Sequence, residues 1–352
     1  VEPIRPKIYT EELAVYPYNK SIPAEDALRL LQKGNFILVE DYYSSGLKLM
    51  AALKNAIKNT EISDFAASRQ ARKEYRNLSH RVLLEVENHS LIVKKGPDIP
   101  WLKKLFPGLT YFAISFPDIQ ALNSSWQIYS KGMSISGLNH NIHPYYGVYY
   151  PTRFDHIELF SNWLESNNFS AKTAYDIGCG SGILSFLLEK AGLEKVWATD
   201  INPNAILGLN ESIAKQGYKN IDVYHGNLFV NIGQKAELIV FNPPWLPEQS
   251  HNNLIDRAVY YPEELFPEFF SEALHHLTKN GRLIILFSNL LSQTHPDATH
   301  PIKKELIDNK RFEKLNLFTK KVLKGSAKTK RNTTKRAEEI VELWELKPVK
   351  HD

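Results

Sequence analysis

From about residue 141 onward, short apolar runs alternate with stretches whose apolar residues repeat at helical spacing. The runs lie near 173–177, 195–199, 221–225, 237–241, 282–288, 313–318 and 341–346. Phe154 to Glu165 reads as a helix ahead of the first run, and Ile183 to Gly192 as a helix after it. Asn202-Pro203-Asn204-Ala205 opens another helix, with Asn202 as N-cap and Pro203 at the first helical position. Such alternation predicts α/β architecture: seven strands in a largely parallel sheet, with helices on both faces.

Residues 1–140 are patterned differently. Ser21-Ile22-Pro23 starts a helix that Gly34 ends, Phe36 to Glu40 reads as a strand and Leu47 to Ile57 as a helix. A further helix runs near Asp64 to Arg81, and the runs at Val82–Val86 and Ser90–Val93 suggest a hairpin around Asn88. This predicts an N-terminal α/β domain over 1–140 and a second domain over 141–352, as a chain of 352 residues allows. The first domain carries no recognisable cofactor motif. Substrate recognition is its expected role, and a degenerate copy of the second domain's fold is the alternative.

The chemistry concentrates at two strand ends. The first apolar run closes in Asp176-Ile177-Gly178-Cys179-Gly180-Ser181-Gly182, a strand, a glycine turn and a helix start. Gly178 and Gly180 allow a sharp turn and a close approach of backbone to ligand, and helix N-terminal amides then face that ligand. A dinucleotide fold places its third glycine one residue later, and no phosphate-binding Lys follows. G-x-G-x-G preceded by Asp176 suits the methionyl end of S-adenosylmethionine better than a pyrophosphate. Asp200 ends the next strand about 20 residues past the glycines, where an acid can accept both ribose hydroxyls.

The fourth run ends in Asn242-Pro243-Pro244-Trp245. Methylating an amide or exocyclic amine is hard because the nitrogen lone pair is delocalised. The Asn242 side-chain oxygen and the Pro243 carbonyl can each accept an N–H of such a target, which draws its nitrogen toward tetrahedral geometry. The two prolines remove backbone donors and fix the turn, so the acceptors stay aimed. Trp245 offers a flat face for a base or planar amide.

Together these motifs resemble those of class I S-adenosylmethionine-dependent methyltransferases of the small-methyltransferase-domain group. That group includes release-factor glutamine methyltransferases and ribosomal RNA guanine-N2 methyltransferases. The resemblance spans roughly 141–352. It implies a seven-stranded Rossmann-like methyltransferase sheet whose seventh strand runs antiparallel beside the sixth. It further implies a cofactor site built from Asp176, Gly178, Cys179, Gly180, Gly182, Asp200, Ile201, Asn227, Leu228 and Asn242, and a catalytic turn of Asn242, Pro243, Pro244 and Trp245. Gly147 to Arg153 looks like the segment laid over the cofactor, which puts Tyr150 and Arg153 beside the substrate. Asn227 stands where an acid is common, and Trp245 where Tyr or Phe is common. The second departure leaves the acceptor class open.

Charge adds one clue. Lys320, Lys321, Lys324, Lys328, Lys330, Arg331, Lys335 and Arg336 fall in one segment without an acid, and they outnumber the net charge of +4. The rest of the chain is therefore net acidic. The sixth strand ends where this segment begins, at the carboxyl edge where parallel sheets bind ligands. A solvated loop and a nucleic-acid contact through Lys328, Lys330 and Arg331 are the two readings. Arg69, Arg72, Lys73 and Arg76 share one helical face, read as solvated. His140, His143 and His156 fit no zinc spacing, so no metal is expected. Cys179, the sole cysteine, reads as a small packing residue of the loop. No run nears ~18 apolar residues, so neither a membrane span nor a signal peptide is expected, and a cytoplasmic protein is.

The expected activity is methyl transfer from S-adenosylmethionine to a planar nitrogen. A base in RNA is the first acceptor considered, a glutamine of a translation-factor protein the second and a small amine or amide the third. DNA adenine also fits. A non-catalytic binding protein on the same fold is the rival class, opposed by Asn242 and the glycine loop. Oligomeric state is not legible.

Overall fold

The computed structural model describes residues 1–58, 65–166, 171–230, 232–248, 258–322 and 339–349. The chain divides into two compact units: Ile4–Ser130, and Lys131–Asp352 together with Val1–Pro3. The division falls at 130/131, ahead of the boundary near 140 read from the pattern.

In the first unit the strands are β1 (Ile8–Tyr9), β2 (Val15–Tyr18), β3 (Phe36–Val39), β4 (Val82–Glu87), β5 (Ser90–Leu91) and β6 (Tyr111–Ser115). They form one mixed sheet in the order β1-β6-β4-β3-β2, with β5 paired to β4. The helices are α1 (Ala24–Gln32), α2 (Tyr43–Lys58), α3 (Phe65–Ser79), α4 (Trp101–Leu105) and α5 (Phe116–Lys131). Asn88 and His89 both take positive φ, 48° and 65°, the conformation that a two-residue hairpin turn requires between β4 and β5. Gly34, φ +91°, ends the chain's turn after α1.

The second unit opens with the short pair β7 (Met133–Ser134) and β8 (Asn141–Ile142), followed by α6 (Asp155–Ser166). Its main sheet then runs through β9 (Thr173–Ile177), β10 (Lys195–Asp200), β11 (Ile221–His225) and β12 (Ala236–Phe241). Between these strands lie α7 (Ile183–Lys190) and α8 (Pro203–Gln216). Asn202 caps α8 by accepting from Asn204 N–H at 3.0 Å, Pro203 follows it, and Gly217 closes the helix with φ +78°. Beyond β12 come the two-residue strands β13 (Leu246–Pro247) and β14 (Tyr260–Tyr261), then α9 (Leu265–His276), β15 (Leu277–Ser288), β16 (Phe312–Lys321) and β17 (Ile340–Pro348).

The sheet order is β11-β10-β9-β12-β15-β17-β16. The first five strands are parallel, and β17 runs antiparallel to both β15 and β16. Burial explains why β17, last in sequence, lies inside. Its Val341, Leu343, Trp344, Glu345 and Leu346 are buried, whereas β16 is exposed along most of its length and carries Lys314, Lys320 and Lys321. A strand buried on both faces needs neighbours on both sides, and a lysine-rich strand suits an edge. One face of the sheet is covered by a core containing Phe160, Trp163, Phe186 and Leu209, the other by one containing Phe229, Phe269, Phe270 and Phe287. Each fully buried Phe stabilises the fold by ~1.5–3 kcal/mol relative to exposure. Among the described residues no helix is long and apolar enough to cross a membrane.

Candidate active site

Register places the two motifs side by side. Ile177 of β9 pairs with Thr199 of β10 on one side and Phe241 of β12 on the other. Gly178, Asp200 and Asn242, the residues that follow, therefore leave the carboxyl edge of the sheet together. This is where connections diverge to opposite sides of β9, and such a switch point opens a crevice.

The glycine loop is held by its neighbours. Cys179 N–H donates to the Thr199 carbonyl at 2.9 Å. Gly180 N–H donates to Asp200 Oδ2 at 2.7 Å, and Asn202 N–H donates to Asp200 Oδ1 at 2.8 Å. Burial raises the Asp200 carboxyl above its ordinary value while these two N–H bonds pull it back. Each oxygen keeps a second lone pair for a ligand hydroxyl. The glycines have different jobs. A Cβ on Gly180 (φ +52°) would meet nothing within 4 Å, so open space lies above it. A Cβ on Gly182 (φ +81°) would sit 2.4 Å from Leu209 Cδ1, so this glycine lets α7 pack against α8. Cys179 is buried in the core, and burial pushes its thiol well up.

Asp176 is only 1% exposed and turns toward α7, where its Oδ2 accepts from Ser185 Oγ at 2.5 Å. Its Oδ1 is buried without a hydrogen-bond partner among the described residues. Burial pushes its carboxyl up to about 7. Leu228 is buried and held at φ +47°, Asn227 is exposed, and Ile201 stands 47% exposed directly after Asp200.

Behind Asp200 the segment Tyr145–Val148 is stapled to the start of α8. Asn202 Nδ2 donates to the Gly147 carbonyl at 2.9 Å, and Asn204 Nδ2 to the Tyr146 carbonyl at 2.7 Å. Gly208 permits the contact, since a Cβ there would come within 2.7 Å of Tyr145 Cβ. Tyr150 is half-buried just beyond. Arg153 pairs with Glu339 at 3.4 Å, and Glu339 also accepts from Ser288 Oγ at 3.5 Å. Val322 N–H donates to the Glu339 carbonyl at 2.9 Å, so both ends of the 322–339 connection meet at the carboxyl edge of the sheet. Lys320 is paired with Glu158 of α6. Lys328, Lys330 and Arg331 lie outside the described residues, as does the Arg69 side chain. Arg72, Lys73 and Arg76 are exposed on α3.

At the second motif the Asn242 Oδ1 is buried and has no hydrogen-bond partner among the described residues; the same is true of Trp245 Nε1. Downstream the turn is anchored by Leu246 N–H to the Val259 carbonyl at 3.1 Å and Glu248 N–H to the Tyr261 carbonyl at 2.9 Å. The Trp245 ring meets the His156 ring edge to face, centroids 5.3 Å apart at 85°. His156 lies in the first turn of α6, 6% exposed, and burial pushes its imidazole down to about 4. Sequence reasoning weighed His156 only as a metal ligand and missed it here, because a contact between α6 and the turn after β12 has no local signature. Asn204 and Glu339 were missed for the same reason, although the Asn-Pro-Asn run already hinted at a capping cluster.

The sequence profile of the methyltransferase small domain matches residues 139–313. A putative protein N5-glutamine methyltransferase of Methanocaldococcus jannaschii is 33% identical over 168 residues, which cover 46% of this chain and 81% of that protein. The chain belongs to the methyltransferase small-domain family. This methyltransferase is also 25% identical over 262 residues to the ribosomal protein L11 methyltransferase of Lactobacillus johnsonii, covering 72% of this chain and 76% of that one. The crystal structure of the ribosomal protein L11 methylase from Lactobacillus delbrueckii subsp. bulgaricus matches with a TM-score of 0.38 at 19% identity, over 56% of this chain and 79% of that chain. The glycine loop, Asp200 and the Asn242 turn of this methyltransferase leave the same carboxyl edge of a Rossmann-like sheet.

Proposed function

We propose that this methyltransferase carries a methyl group from S-adenosylmethionine to the nitrogen of a planar amine or amide. The observation that carries the reading is Asn242 Oδ1, a buried acceptor without a partner among the described residues, at the mouth of the sheet and level with Gly178 and Asp200. An unpaired buried acceptor costs ~1–3 kcal/mol, and one that sits at a strand end beside a glycine loop is accounted for by a ligand N–H. The open space above Gly180 and the free lone pairs of Asp200 fit the donor molecule. Gly178, Gly180 and Asp200 would hold it, with exposed Ile201 beside its flat ring and Asn227 and Leu228 beyond. Gly182, Cys179 and Asp176 shape the loop from the core side. When bound, S-adenosylmethionine supplies a methyl group electrophilic enough to need no metal.

The protein's part is orientation. Asn242 Oδ1 accepts one N–H of the target and the Pro243 carbonyl accepts a second. Two acceptors on one nitrogen draw its lone pair out of conjugation and aim it for in-line displacement. Pro243 and Pro244 hold φ and remove competing donors. Trp245 walls the slot, and the nitrogen's proton leaves to water after transfer.

A base in RNA is the acceptor that the basic connection favours, because both of its ends meet at the carboxyl edge. Tyr150 and Arg153 line the same side, with Lys328, Lys330 and Arg331 as phosphate contacts. A glutamine of a translation-factor protein is the second reading, favoured by the M. jannaschii relative. The Ile4–Ser130 unit serves substrate recognition in either case. The test is transfer of labelled methyl from S-adenosylmethionine into extract of a strain lacking the protein, followed by RNase or protease digestion. Label released by RNase supports the first acceptor, and label released only by protease the second. No transfer by the wild type to any fraction would overturn the reading.

A further inference from the structure

Two buried polar atoms of opposite sense lie on one turn: the acceptor Asn242 Oδ1 and the donor Trp245 Nε1–H. Neither has a hydrogen-bond partner among the described residues. The indole's face-to-edge contact with His156 fixes one side, and the ring packs against the core containing Phe229, Phe269 and Phe287. A buried indole N–H ordinarily finds a partner. A single planar ligand bound at this turn would satisfy both atoms by presenting an N–H beside a lone pair. A primary carboxamide does so with its N–H and C=O. A nucleobase does so with an exocyclic amine and the adjacent ring nitrogen. An aliphatic amine or a guanidinium offers hydrogens alone and leaves Trp245 unpaired.

We propose that Trp245 is a specificity-determining residue whose Nε1–H donates to the atom next to the target nitrogen, and that His156 is the positioning residue that holds its indole. The inference rests on the reading that Asn242 receives the target nitrogen. It narrows the acceptor to an amide or amidine edge. A buried, neutral imidazole suits the positioning role, because it adds no positive charge beside a cationic methyl donor.

The test joins spectroscopy to kinetics. In ¹H–¹⁵N spectra of the full chain saturated with S-adenosylhomocysteine, the Trp245 indole peak is identified by its loss in Trp245→Phe. Propionamide, adenosine, cytidine and guanosine are added in turn, with propylamine and methylguanidine as probes that lack the lone pair. At least one of the first four is expected to move the Trp245 peak, and neither of the last two. A probe that binds, shown by a shift of the Asn242 side-chain amide, yet leaves the indole peak in place overturns the inference, as does no response to any of the four.

On the acceptor identified by labelling, Trp245→Phe is expected to lower kcat/KM at least ~10-fold, the scale of one lost buried hydrogen bond, with S-adenosylhomocysteine affinity unchanged. His156→Phe, which keeps a flat ring, is expected to stay near wild type, and His156→Ala to fall with Trp245→Phe. A kcat/KM unchanged in Trp245→Phe, or a His156→Phe as poor as His156→Ala, overturns this inference alone. A rate limb near pH 6–7 that vanishes in His156→Phe would make His156 a proton carrier and overturn its positioning role. No transfer by the wild type removes both this inference and the reading beneath it.

Discussion

The two halves of the proposed site differ in how the polar groups at their mouth are satisfied. On the glycine-loop side the polar groups facing the loop are engaged: each Asp200 oxygen takes a backbone N–H, and Asn202 and Asn204 staple the Gly147 and Tyr146 carbonyls, while Asp176 Oδ1 and Thr199 Oγ1 are buried without a partner among the described residues. On the Asn242 side, the Asn242 Oδ1 and Trp245 Nε1 atoms are buried and have no partner among the described residues. On the proposed function, the first half is finished by the fold and would bind with the lone pairs left over. The second would be completed by the acceptor. A donor molecule common to many reactions needs a rigid cradle, whereas catalysis calls for interactions completed when the reacting nitrogen arrives.

The sharpest way to break this comparison is Asn242→Ala. We expect kcat to fall by ~10²–10³, the scale of one lost oriented electrostatic contact, with S-adenosylhomocysteine affinity by calorimetry unchanged. A loss of affinity as large as the loss of rate would show that the halves are one site. Asp200→Ala should do the reverse. Donor affinity is expected to drop at least ~10-fold, while kcat at saturating donor stays near wild type.

Next come the glycines. Gly182→Ala is expected to cost about 1–3 kcal/mol in the unfolding of the second unit, from its positive φ and the clash with Leu209. Gly180→Ala, with no clash to relieve, should show mainly as weaker donor binding.

The smallest effects are in pH dependence, where the halves differ in sign. Asp176 is raised from 3.8 to about 7 by burial, so the folded state holds a proton that the unfolded state releases. Its stabilising contribution is full below pH 3.8 and is lost as pH rises through about 7. His156 is lowered from 6.5 to about 4, so its contribution is full above 6.5 and is lost as pH falls through about 4. Between these limits the two oppose each other. Urea midpoints across pH 4–8 should therefore rise with pH in Asp176→Asn, where His156 acts alone, and fall with pH in His156→Phe, where Asp176 acts alone. A midpoint profile in Asp176→Asn that matches the wild type between pH 4 and 7 would place the titration elsewhere.

Legibility followed range. The seven apolar runs, the Asn202 cap with Pro203, and the Asn88 turn are local patterns, and each appears at its expected place. The glycine turn after Ile177 and the acid ending β10 were also local, since residue type and spacing carry them. The internal division of labour was not. Nothing in G-x-G-x-G says that Gly182 faces Leu209 while Gly180 faces open space, or that Asp176 turns inward to Ser185. Those depend on how α7 and α8 pack. The basic connection was legible as charge, and its central residues lie outside the described ones, so only its anchored ends inform the site.

The sequence by itself determined which segments are strands, which turns carry glycine or paired prolines, and therefore the class of chemistry. Those are short-range consequences of side-chain period and backbone freedom. Only the tertiary structure decided that β12 lies against β9, which sets Asn242 beside Gly178, and that β17 slides between β15 and β16. It alone brought His156 onto Trp245 and Asn204 onto Tyr146. Strand order and such contacts are settled by which faces must be buried together, a property of the whole packed sheet that no local window of residues contains.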